Sequence, residues 1–134
     1  MRFPVLLLMT LAACNNQITN TTVTYSAEAV TATRAVAVMT ATDGHGAHGV
    51  ATFSAEADGI RVHAEIDGLS PGLHGFHVHQ WGNATSGDGK SAGGHFNPHG
   101  TDHAHPEAGV RHVGDLGNLE ADAAGRAVYD RLDT

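Results

Sequence analysis

The sequence predicts an all-β domain, an antiparallel Greek-key sandwich of about six strands with one long loop from Trp81 to Arg111. Three observations lead there. Residues 60–67 alternate, with Ile60, Val62, Ala64 and Ile66 on one side and Arg61, His63, Glu65 and Asp67 on the other. That is the period-two pattern of a half-buried antiparallel strand. Asp43-Gly44, Asp58-Gly59 and Asp67-Gly68 punctuate the chain at short intervals, and Asp-Gly supplies turn chemistry. Beyond the apolar N-terminal run no segment reads as a convincing helix. Short strands between regularly placed turns favour a sandwich or barrel.

Taken in order, Met1-Arg2 is a short basic lead and Phe3 to Ala13 an apolar run of 11 residues, too short to span a bilayer. It ends in Leu11-Ala12-Ala13-Cys14, which resembles a bacterial lipobox. The expectation is a signal peptide over residues 1–13, lipidation of Cys14, and a polar tether to residue 30. A domain then fills residues 31–134, a length suited to one modest core. Cys14 is the single cysteine, so no internal disulfide is expected. Strands are expected at Thr33 to Thr40, Gly49 to Ala55, Ile60 to Asp67, His74 to Gln80, Val113 to Glu120 and Arg126 to Leu132, the last two joined by Asp122-Ala-Ala-Gly125.

The excursion from Trp81 to Arg111 has no periodicity, and so long a structureless loop in a small domain needs something to hold it. Histidines placed through it are the candidates, because a metal can replace missing apolar contacts. His77 and His79 form an H-x-H pair that a strand would place on one face. His95, His103, His112 and Asp115 follow at intervals of eight, nine and three. Neutral imidazoles with one carboxylate suit zinc or copper.

The formal charge is −7. Loss of Arg2 with the leader would leave 6 basic against 14 acidic side chains, or −8. This argues against nucleic acid or an anionic membrane surface as partner, so membrane contact is expected only through the lipid on Cys14. The expected location is a bacterial cell envelope, outside the cytoplasm.

Gly72-Leu-His-Gly-Phe-His-Val-His79, Ser91-Ala-Gly-Gly-His-Phe-Asn-Pro98 and Arg111-His-Val-Gly-Asp-Leu-Gly-Asn118 together resemble the copper/zinc superoxide dismutase family. The resemblance runs from about Thr33 to the end of the chain. It implies copper and zinc as cofactors, with copper on His77, His79 and His95, and zinc on His95, His103, His112 and Asp115. His95 would be the bridging imidazolate and proton carrier, and superoxide the substrate, converted to oxygen and hydrogen peroxide. His74 is expected to be structural. His63, His99 and His105 are expected at the surface. His45 and His48 are either solvated or an auxiliary metal site.

The resemblance also aligns Thr134 partway along a typical member. A fourth copper histidine, an anion-guiding arginine and about two of eight strands are therefore expected to lack counterparts within residues 1–134, leaving an incomplete sandwich or barrel. Gly89 stands where the family has one half of a disulfide. The alternative function is accordingly a copper-binding or copper-delivery protein with little turnover, and the remaining one an inert zinc-stabilised domain, disfavoured by His77 and His79. A second chain covering the open edge would make an isologous homodimer, with His45 or His48 as the nearest histidine donors.

Overall fold

The computed structural model describes residues 32–134. Six strands carry the fold: β1 Arg34–Met39, β2 His48–Glu56, β3 Gly59–Asp67, β4 Gly72–His77, β5 Asp115–Ala121 and β6 Ala127–Asp133. Among the described residues the one helical element is a single 3₁₀ turn, Lys90–Ala92, and no helix is long and apolar enough to cross a membrane. The expected leader, Cys14 and the tether lie outside the described residues.

β1, β2, β3 and β6 form a four-stranded sheet in that order, and β4 and β5 a second, two-stranded one. All pairings are antiparallel. The chain leaves the first sheet after β3, builds the second with β4 and β5, and returns to lay β6 beside β3. The sheets do not close into a barrel, which matches the incomplete Greek-key sandwich expected.

Alternation in β3 decides which face is inside. Val62, Ala64 and Ile66 are buried, while Glu65 on the opposite face is exposed. Ala51, Phe76, Leu116, Leu119, Ala121 and Ala127 complete the core. The polar face carries surface ion pairs, Arg61 with Glu56 and Asp130, and Arg126 with Glu65. Pairs this exposed contribute little each.

One side chain joins the two sheets directly. Tyr129 of β6 sets its ring edge-on to Phe76 of β4 at 5.1 Å, and its hydroxyl donates to the Leu116 carbonyl of β5 at 2.7 Å. Burial of the ring raises the phenol pKa. Both contacts lie close to Asp115, where β5 begins.

Candidate metal centre

β4 spans Gly72–His77 and so ends three residues before Gln80, where the expected strand stopped. Regular pairing stops at His77, which stands opposite Asp115. Beyond it the loops take over: Val78 N–H donates to Gly114 O at 2.9 Å, and Val78 O accepts from Phe96 N–H at 2.8 Å. His79 makes a lone bridge with His95. Phe76 enters the core with Val78 packed partly against it, so the H-x-H pair keeps the other side. The long expected strand fails because Gly114 and Phe96, not a neighbouring strand, satisfy Val78.

β5 carries a register shift opposite Gly75 and His77. Gly75 pairs Asn118 whereas His77 pairs Asp115, so β5 holds one residue more than β4 over this stretch. Gly117, at φ 89, lies inside it, a conformation that glycine adopts most readily and that bulges often require. The extra residue lets Leu116 enter the core while Asp115 turns toward the loop.

Asp115 has 0% exposure. Its Oδ2 accepts from the backbone N–H groups of Ala104 (3.2 Å) and His112 (3.1 Å). Its Oδ1 faces three imidazole Nδ1 atoms, those of His95 at 2.8 Å, His103 at 2.9 Å and His112 at 3.3 Å. Ligand atoms of these four residues all lie within 4.8 Å of one another. Burial opposes the charged carboxylate, but the bonds from Ala104, His95, His103 and His112 outweigh it and hold the carboxyl well below its usual range.

The donor set fits a metal. His112 Nδ1 is buried without a hydrogen-bond partner, and so is His77 Nδ1; buried polar atoms are rarely left so without cause. Three imidazoles and one carboxylate oxygen make a closed four-ligand set of the kind zinc takes. His95, His112 and Asp115 are sheltered, whereas the His103 side chain is 57% exposed, which makes it the outermost of the four.

His77 and His79 border this group rather than belong to it. The His77 ring stacks on His95 with centroids 4.0 Å apart and planes 18° apart. His79 meets His95 edge-on at 5.5 Å. Burial, then the neighbouring His95, lowers the His77 pKa, favouring the neutral ring that a metal binds. His79 Nδ1–H donates to Gly93 O at 2.9 Å, which fixes the tautomer and leaves Nε2 free. His95 meets both His77 and His79, and His77 also lies 3.8 Å from Asp115 Oδ1.

The remaining histidines go elsewhere. His74 Nε2 bonds Ser70 O at 2.7 Å, a structural tie. His63 lies between Asp130 and Glu65 on the outer face of the sheet. His45 and His48 are exposed; His48 Nδ1 bonds Gly46 O at 2.8 Å, and neither joins a group of three ligands among the described residues. Sequence reasoning missed the Gly93 carbonyl and the partners of Arg111, since a backbone acceptor and a buried guanidinium leave no motif.

The copper/zinc superoxide dismutase family model matches residues 47–134. This chain belongs to that family. An extracellular copper/zinc superoxide dismutase of Brugia pahangi is 42% identical over 118 residues, covering 88% of this chain and 58% of that protein. The human copper chaperone for superoxide dismutase is 54% identical over 68 residues, 51% of this chain and 24% of the chaperone. Among solved structures, the clock protein EA4 superposes with a TM-score of 0.67 at 43% identity, over 75% of this chain and 62% of that one. The chain thus spans less than two thirds of the length of each of these three relatives. The family uses copper and zinc, and the His/Asp group above could hold such a metal.

Proposed function

We propose that this chain is an exported, lipid-anchored copper/zinc superoxide dismutase homologue that converts two superoxide ions and two protons to oxygen and hydrogen peroxide. The observation that carries the reading is the convergence of His95, His103 and His112 on one oxygen of buried Asp115, with His77 and His79 packed against His95. Zinc is assigned to His95, His103, His112 and Asp115, and copper to His77, His79 and His95. Copper, when bound, supplies the one-electron couple that superoxide chemistry requires.

The chain's own residues prepare that chemistry. Asp115 Oδ1 lies 2.8 Å from His95 Nδ1, so Nδ1 is the nitrogen turned toward the zinc group and the opposite one, Nε2, is the atom that would hold or release a proton beside the substrate. Gly93 fixes His79 through its Nδ1. An extracytoplasmic location fits the extracellular Brugia pahangi relative, and lipidation of Cys14 would hold the protein to a membrane there.

Delivery of copper is the second reading, favoured by the 54% identity to the human chaperone. Stopped-flow decay of superoxide, with copper assayed on the same metal-reconstituted sample, separates the two. Turnover that scales with bound copper and falls in His77→Ala supports the dismutase. Copper bound without turnover, and transferable to a metal-free acceptor, supports delivery.

A further inference from the structure

Arg111 sits immediately before the ligand His112, and its guanidinium is almost wholly enclosed, the side chain being 11% exposed. Every branch of it is used. Nε donates to Pro106 O at 3.1 Å, and Nη1 lies 3.0 Å from His112 O and 3.4 Å from both Val113 O and Asp115 O. Nη2 donates to Asp133 Oδ1 at 2.6 Å. Arg131 adds to both groups: Nη2 donates to Pro106 O at 3.1 Å, and Nε stands 3.8 Å from Asp133 Oδ1 as an ion pair without a hydrogen bond. Thr101 Oγ1 closes the ring by donating to Arg111 O at 2.6 Å.

The pattern is selective. Two of the four carbonyls that Arg111 holds belong to His112 and Asp115, both ligands. A third, Pro106, lies between the ligands His103 and His112. The carboxylate that takes Nη2 belongs to β6, in the other sheet. A buried guanidinium is costly unless fully paired, and here its pairing is spent on the backbone of the metal loop.

We infer that Arg111, anchored on Asp133, is a positioning residue that sets His112 and Asp115 in place before metal arrives, and so tunes zinc affinity without touching zinc. This rests on the zinc assignment above. Lysine cannot replace it, because a single ammonium lacks the planar fork that reaches three directions at once.

The test measures zinc affinity of the full chain by competition with a chromophoric chelator, and the visible spectrum of the same samples loaded with Co²⁺. Arg111→Lys is expected to weaken zinc about 10- to 100-fold, as loss of an outer partner typically does, and to change the Co²⁺ ligand-field bands while amide exchange in β2 and β3 stays as in the parent. Asp133→Asn keeps the shape and one acceptor but loses the charge, so a smaller loss of about 3- to 10-fold is expected. If Arg111→Lys does not fold, Asp133→Asn decides by the same readouts. Parent-like affinity and spectrum in the folded variant overturn the inference. A parent chain that binds no zinc overturns the assignment beneath it, and this inference with it.

Discussion

His77 and Asp115 face each other across β4 and β5, Nδ1 to Oδ1 at 3.8 Å, one residue away from where the Gly75–Asn118 register would put them. That single extra residue in β5 is what presents the buried Asp115 carboxylate to His77. Without it, the alternation of β5 would send Asp115 to the wrong face.

Gly117→Ala is therefore expected to cost more than an ordinary surface change. Alanine at φ 89 is strained by about 1–2 kcal/mol, and a Cβ there would approach Pro106 Cγ to 3.0 Å. The variant should unfold at lower urea concentration than the parent and bind zinc more weakly, since Pro106 and Asp115 both move. Urea unfolding of the metal-free chain, followed by a zinc titration, reads both effects.

Much of this arrangement was legible in the sequence. Alternation in Ile60 to Asp67 located β3 and its buried face, because a one-residue slip would expose Ile66 and Val62. The resemblance to the copper/zinc superoxide dismutase family, rather than spacing alone, singled out His95, His103, His112 and Asp115 as a set, and these four do come together. The bulge at Gly117 was not legible, since glycine within a strand has several uses. Asp58-Gly59 was read as a turn, and the β2–β3 hairpin does turn there through Ala57 and Asp58, but Gly59 itself opens β3 and its φ is not positive. Glycine is needed there because a Cβ would collide with the Asp133 carbonyl of β6, a contact between residues 74 positions apart. The loop was expected to depend on metal, yet Asn97 and Thr101 already bond each other within it. Partners that distant, or that are backbone atoms, leave no periodic trace.

Tyr129→Phe should lower stability by about 1 kcal/mol, since it removes one hydrogen bond and leaves the Leu116 carbonyl without its donor. The ring contact with Phe76 is kept. Urea unfolding should show a lower midpoint with an unchanged slope, because the surface exposed on unfolding is the same.

Acid should act on the β5–β6 turn. Asp122 Oδ1 accepts from Ala124 N–H at 2.8 Å and Arg126 N–H at 3.0 Å. The bonds from Arg126, then Ala124, hold its carboxyl below the usual range. A folded pKa below the unfolded value of about 3.9 means that the stabilisation is present above that value and lost as pH falls through the folded pKa. Asp122→Ala should thus be less stable than the parent at about pH 7, with the gap narrowing below about pH 4. A gap that stayed constant down to about pH 2 would assign the effect to something other than this carboxylate.

His103→Ala should separate binding from folding. The side chain is 57% exposed, so truncation leaves little cavity and the strands should keep their amide protection. Zinc affinity should fall by more than the roughly 10- to 100-fold expected for an outer partner, because a direct ligand is lost. Full zinc occupancy in this variant would mean that another ligand set is at work.

The centre itself is tested most directly by X-ray absorption at the zinc edge, on the full chain loaded with zinc and assayed for metal content. One zinc per chain is expected, with three nitrogen neighbours at about 2.0–2.1 Å and one oxygen at about 2.0–2.2 Å, and loss of this signal in Asp115→Ala. A six-coordinate, oxygen-rich environment, or the same spectrum in Asp115→Ala, would contradict the assignment of His95, His103, His112 and Asp115.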